Sequence, residues 1–160
     1  MKTPWLFLLA FAFIFYANGA GFIESFVNYP SWRLIGPNEF VRYHQFIGPR
    51  VIAFLVAPAL AASVLTIALL RYRPAPIPLW VVWVAVVLQV IIWISSATIQ
   101  IPMQFEFAAT GFSEERLASL ITSNFWLRRV PNALTAALFL WMMHKVVSTA
   151  RKNETVPTMR

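Results

Sequence analysis

Four apolar stretches dominate this sequence, each close to the ~20 residues that a helix needs to cross a ~30 Å hydrocarbon layer. Trp5 to Ile23 has Asn18 as its one strongly polar side chain, and Val51 to Leu70 is interrupted only by Ser63 and Thr66. Leu79 to Ile99 is broken by Gln89, Ser95, Ser96 and Thr98. Val130 to Val147 is the weakest run, with Asn132 near its start and His144 and Lys145 near its end. Buried strands would need breaks every few residues, and these runs have none. The expected fold class is an all-α integral membrane protein: a four-transmembrane-helix bundle forming one domain over residues 1–160. The spans are expected near 5–23, 51–70, 79–101 and 130–147.

Composition agrees. Hydrophobic residues make up 59% and charged residues 12% of the chain, against about 45–50% and about 25% in a soluble domain. Disorder is excluded by the same balance. The absence of cysteine excludes a disulfide framework and a zinc–thiolate site.

The connections are read from their breakers. Pro74, Pro76 and Pro78 make residues 71–78 a short stiff turn. Pro30, Gly36, Pro37, Gly48 and Pro49 make Asn28 to Arg50 a structured loop. Ser113 before Glu114 and Glu115 is a helix N-cap with acids in the first turn. Leu117, Leu120, Ile121 and Phe125 follow at helical spacing, so an amphipathic surface helix is expected over about 113–127, before the fourth span. The tail from Arg151 is expected to fray. A small-residue site at Ala17 to Ala20 resembles a signal-peptide cleavage site, but the apolar run continues past it to Ile23, which favours a retained span.

With four spans, Lys2, Arg71, Arg73, Lys145, Glu154, Arg151, Lys152 and Arg160 share one side. Arg33, Arg42, Arg50, Arg116, Arg128 and Arg129 lie on the other with the remaining glutamates. The nets of +6 and +1 sum to the formal +7. The basic residues of the first group sit close to the apolar runs, which places both termini in the cytoplasm and the chain in the cell inner membrane. A pI near 10.6 does not point to nucleic acid, because the charges divide between two faces. The expected partners are the lipid bilayer and either a homo-oligomer or a larger membrane complex.

Polar side chains inside apolar spans are costly and therefore informative. Gln89, Trp93, Ser96 and Gln100 lie on one helix face, and Gln104 extends it if the helix survives Pro102. Asn124, Arg128 and Asn132 share another face. Glu24 ends the first span, and His44 precedes the second. Glu24, His44, Arg128, Gln100, Gln104, Asn124, Asn132 and Glu106 can therefore line one polar cavity at the non-cytoplasmic end. His44, Arg128 and Glu24 are the candidate catalytic groups: His44 as base or proton shuttle, with the carboxylate and guanidinium offsetting each other's burial. Gln100, Gln104, Asn124, Asn132 and Trp93 are the candidate substrate-binding groups. The bland alternative is that the amides tie helices together, the arginines reach lipid headgroups and Trp93 fills the core.

No metal site is assigned. His44 and His144 fall near opposite ends of the bundle, so they cannot share a haem, and a set of His44, Glu24 and Glu106 has no supporting motif. No cofactor is indicated. Ala53, Ala57 and Ala61, Ala133 and Ala137, and Ala17 and Gly21 form small-residue stripes that would let helices approach closely.

Three short stretches carry a resemblance: Tyr43-His44 opening the second span, Ile99 to Pro102 closing the third, and Asn124 to Arg128 entering the fourth. They are similar to uncharacterised bacterial four-helix membrane proteins. More loosely, the chain resembles the anthrone oxygenase-like family, some of whose members oxidise polycyclic aromatics without an evident cofactor. The resemblance implies a polar site at His44, Gln100, Asn124 and Arg128, and an oxidoreductase-like enzyme acting on an apolar or aromatic substrate. The competing expectation is a non-catalytic accessory subunit of a larger complex, holding lipid, quinone or pigment.

Overall fold

The computed structural model describes residues 4–154. It is helical throughout, without strands among the described residues. Four helices are long and apolar enough to cross a membrane: α1 (Trp5–Leu34), α2 (Pro37–Tyr72), α3 (Leu79–Thr110) and α4 (Glu114–Lys152). Consecutive helices run antiparallel. α1 packs on α2 and α4, and α3 packs on the same two, closing a ring.

The helices are longer than the apolar runs. At 30, 36, 32 and 39 residues and ~1.5 Å per residue, they exceed a ~30 Å layer. Two expectations are thereby corrected. Asn28 to Arg50 is not a loop: Ile35 and Gly36 alone break it, and Pro37 occupies the first turn of α2, where its missing N–H costs nothing. The segment expected as a separate surface helix is instead the first three turns of α4. Its cap is as expected, with Ser113 Oγ accepting from the Arg116 amide at 3.3 Å. The helix then continues without a break into the fourth apolar run, and beyond Arg151 to Glu154. Lys2, Arg160 and the tail beyond Glu154 lie outside the described residues.

Each helix survives an internal proline by the same device. Pro30, Pro58, Pro102 and Pro131 are each preceded by a five-residue π-helical turn: Glu24–Asn28, Ile52–Val56, Ser96–Gln100 and Phe125–Arg129. A helical proline removes one N–H and crowds the carbonyl four residues back. Widening the turn relieves this. The residue before each proline donates five residues back instead of four: Tyr29 to Glu24, Ala57 to Ile52, Ile101 to Ser96 and Val130 to Phe125. In α4 the carbonyl of Leu127, four before Pro131, is taken by the Ser95 hydroxyl of α3 at 3.3 Å.

These turns divide the bundle into two packed regions. Below them lies the main core, where Phe7 stacks on Phe139 with centroids 6.0 Å apart and Ala10, Ala62 and Ala85 let backbones approach. Residues 73–78 close this end as a turn, with the Ile77 amide donating to the Pro74 carbonyl at 3.1 Å, while Arg71 and Tyr72, expected in the turn, still belong to α2. Above the turns, Tyr29, Trp32, Phe40, Phe107, Leu117 and Leu120 form a second, aromatic core. The expected alanine stripes are corrected in phase. Ala62 and Ala136 are buried, whereas Ala53, Ala57, Ala133 and Ala137 face outward. Ala17 and Gly21 are buried as expected.

Candidate functional site

A cavity of about 580 Å³ lies between the two cores, at the level of the π-turns. Its walls are apolar side chains of α1, α2 and α3, such as Ile14, Leu55, Val56 and Ile92. One pole is polar, formed by Glu24, His44, Gln100, Gln104, Arg128 and Arg129.

The π-turns account for this position. Glu24 opens the turn of α1, Gln100 closes that of α3, and Arg128 and Arg129 end that of α4. The polar stripe of α3 from Gln89 to Gln104 passes through Pro102 because the widened turn keeps the helix intact.

The upper wall is a chain of oriented hydrogen bonds. Asn28 Nδ2 donates to Glu24 Oε2 at 2.8 Å. Its Oδ1 accepts from Tyr43 Oη at 2.8 Å and from Trp32 Nε1 at 3.3 Å. Beside it the His44 ring is 7% exposed and packed against Trp32, Phe40 and Phe107. His44 Nε2 lies 2.7 Å from Gln104 Oε1. An amide oxygen only accepts, so this contact is a hydrogen bond in the form that carries a proton on Nε2.

The lower wall is tied more simply. Gln89 Nε2 donates to Thr66 Oγ1 at 3.0 Å, and Trp93 Nε1 to Ser63 Oγ at 2.8 Å, joining α3 to α2. Trp93 thus keeps its indole face on the cavity while its polar edge is satisfied.

Three groups at the pole are incompletely partnered. Gln100 is 1% exposed, and neither of its amide atoms has a hydrogen-bond partner. Arg129 is 4% exposed, with Nε and Nη1 unpartnered. Arg128 Nε is also unpartnered. The ion pairs among the described residues lie elsewhere, joining Arg33 to Glu114 and Arg116 to Glu106.

Most of the candidate residues meet here. Glu24, His44, Arg128, Gln100, Gln104, Asn132 and Trp93 all line the cavity. Two do not. Asn124 is buried, but its Nδ2 donates to Ser25 Oγ at 2.8 Å and ties α4 to α1. Glu106 lies two residues past Gln104, on the opposite side of α3, where it pairs with Arg116 at 2.8 Å in an exposed position. Glu106 therefore cannot join His44 and Glu24 around a metal. No three of His, Asp and Glu are gathered anywhere among the described residues. Arg129, which the bland alternative takes to lipid headgroups, is buried. The signal was available in its distance from Pro131, which places it in the widened turn. No protein family, curated protein or solved structure matches the chain.

Proposed function

We propose that the four helices cross a membrane with both termini on the cytoplasmic side, and that the chain binds a small apolar or aromatic molecule in the cavity. The supporting observation is the cavity itself: about 580 Å³, walled by apolar groups and closed at one pole by convergent polar ones. Ligand sites take this form, in about this range of volume. The reading favoured for the chemistry is an oxidoreductase-like enzyme. His44 Nδ1 accepts a proton from the bound molecule, and Arg128 holds the negative charge that develops. Dioxygen then takes the electrons of the deprotonated aromatic, the cofactor-free oxidation that the resemblance to the anthrone oxygenase-like family implies.

The alternative, an accessory subunit that stores its ligand within a larger complex, draws support from Ala53 and Ala57 on α2 and Ala133 and Ala137 on α4. These outward-facing small residues suit a further helix.

Native mass spectrometry after mild detergent extraction tests the binding. A small molecule should be retained by the native chain and lost when Ser96→Trp fills the cavity. Retention unaffected by filling would refute the cavity as the binding site. For the enzyme reading, His44→Ala should abolish turnover while leaving retention within about threefold, the separation expected for a general base.

A further inference from the structure

The pole of the cavity carries more positive charge than its own residues balance. Arg128 and Arg129 face it together, and Glu24 is the one acid in its lining. The Glu24 carboxylate is held by Asn28 and forms no ion pair with either arginine among the described residues. A guanidinium cannot shed its proton. Two buried cations with one carboxylate between them leave a charge that a bound anion would balance. Arg129 is 4% exposed, which excludes lipid headgroups outside the bundle as its partner.

Three residues of the lining carry unmet polar groups: Arg129 at Nε and Nη1, Arg128 at Nε, and Gln100 at both amide atoms. Guanidinium forks suit oxyanions, which accept several N–H groups at once. The way in is a gap between α2 and α3. The two helices touch below the π-turns, and again above them where Pro37–Val51 meets Ile101–Thr110, but make little contact at the turns themselves. Ile52, Ile101 and Phe105 line the cavity and are also exposed on the outer surface. The gap therefore faces the lipid in the proposed membrane.

We propose that the ligand is an anionic amphiphile, an oxyanion head on one apolar body, which enters sideways between α2 and α3 and sets its head on Arg128, Arg129 and Gln100. This deepens the function proposed above and rests on it.

The test uses the full chain in phosphatidylcholine nanodiscs at alkaline pH. Matched probes are palmitate against hexadecanol, and 2-naphthoate against 2-naphthamide. In at least one pair the anion should bind about tenfold tighter than its neutral partner, a difference of about 1.4 kcal/mol. Arg129→Gln and Gln100→Leu should each cut that preference below about threefold by weakening the anion more than its neutral partner, and Arg129→Lys should restore part of it. Should Arg129→Gln fail to fold, Arg128→Gln and Gln100→Leu carry the same comparison. Equal binding of anion and neutral partner in both pairs overturns the anionic head and leaves the cavity reading standing. Failure of all four probes to bind overturns both. Phosphatidylglycerol in the nanodisc distinguishes the source: displacement of the bound anion identifies a lipid head, and its absence a free carboxylate, either of which supports an oxyanion site.

Discussion

The guanidinium of Arg129 occupies the space that a side chain on Gly21 would need. A Cβ at that position would stand 2.6 Å from Arg129 Cζ. Glycine at 21 is thus the condition under which α4 can lay a buried cation against the backbone of α1.

Gly21→Ala should therefore behave as a lesion of Arg129. The added methyl forces the guanidinium aside in a packed interior, with an expected loss of about 1–3 kcal/mol in stability. Anion preference should fall as far as in Arg129→Gln. The double variant should be no worse than either single one, since both remove the same contact. Thermal unfolding in detergent and the nanodisc binding assay read the two effects. Additive losses would show that Gly21 acts on something other than Arg129.

Asn124 should separate structure from binding. Its hydrogen bond to Ser25 joins two helices away from the cavity. Asn124→Ala should cost about 0.6–1.7 kcal/mol, the range for interhelical hydrogen bonds in membranes, and couple to Ser25→Ala in a double-mutant cycle. Ligand affinity should stay within about twofold, as for sites without a shared partner. A larger change in affinity would place Asn124 in the site after all.

Pro102→Ala should do the reverse. The new amide can donate to the Thr98 carbonyl, letting the turn at Ser96–Gln100 narrow to a regular α-helix. The melting temperature should hold or rise, because proline is about 3 kcal/mol worse than alanine inside a helix. Gln100 would swing off the pole, and affinity for the anionic probe should fall by roughly fivefold, about 1 kcal/mol. A lower melting temperature with binding intact would mean that the wide turn does not position Gln100.

The apolar runs made the four helices and their order legible, because a run of that length has few other uses. The polar stripe from Gln89 to Gln104 was legible for the same reason: a helical period survives inside an apolar background. Helix lengths were not. Pro30 and Pro49 read as loop signals one at a time, yet both stay within helices, Pro30 behind a widened turn and Pro49 ahead of one, and that compensation is spread over residues with no fixed chemical type. The burial of Arg129 was hidden in the same way. It ends the wide turn before Pro131, and Gly21, more than a hundred positions away, leaves room for its guanidinium. Asn124 failed differently. Buried amides look alike in a sequence whether they face a cavity or a serine.

The Arg33–Glu114 pair joins the outer end of α1 to the start of α4, with Arg33 Nη2 2.6 Å from Glu114 Oε1. Both side chains are well exposed, at 43% and 59%. Glu114→Gln should therefore shift stability by less than about 1 kcal/mol despite the good geometry. Any such shift should vanish at high salt. A salt-resistant loss in a thermal melt would argue for a shielded pair.

The four wide turns also give the bundle a mechanical character. Residues of all four turns line the one cavity, so the turns lie around it. A proline joint, missing one N–H of the hydrogen-bond ladder, bends more easily than the regular helix on either side of it. Two stiff cylinders are thereby coupled through a compliant ring. Flexing at that ring widens the gap between α2 and α3 without parting Phe7 from Phe139 below or Trp32 from Phe107 above. Hydrogen exchange should then run fastest around Glu24–Asn28, Ile52–Val56, Ser96–Gln100 and Phe125–Arg129, so that the bundle breathes at its middle while both ends stay closed.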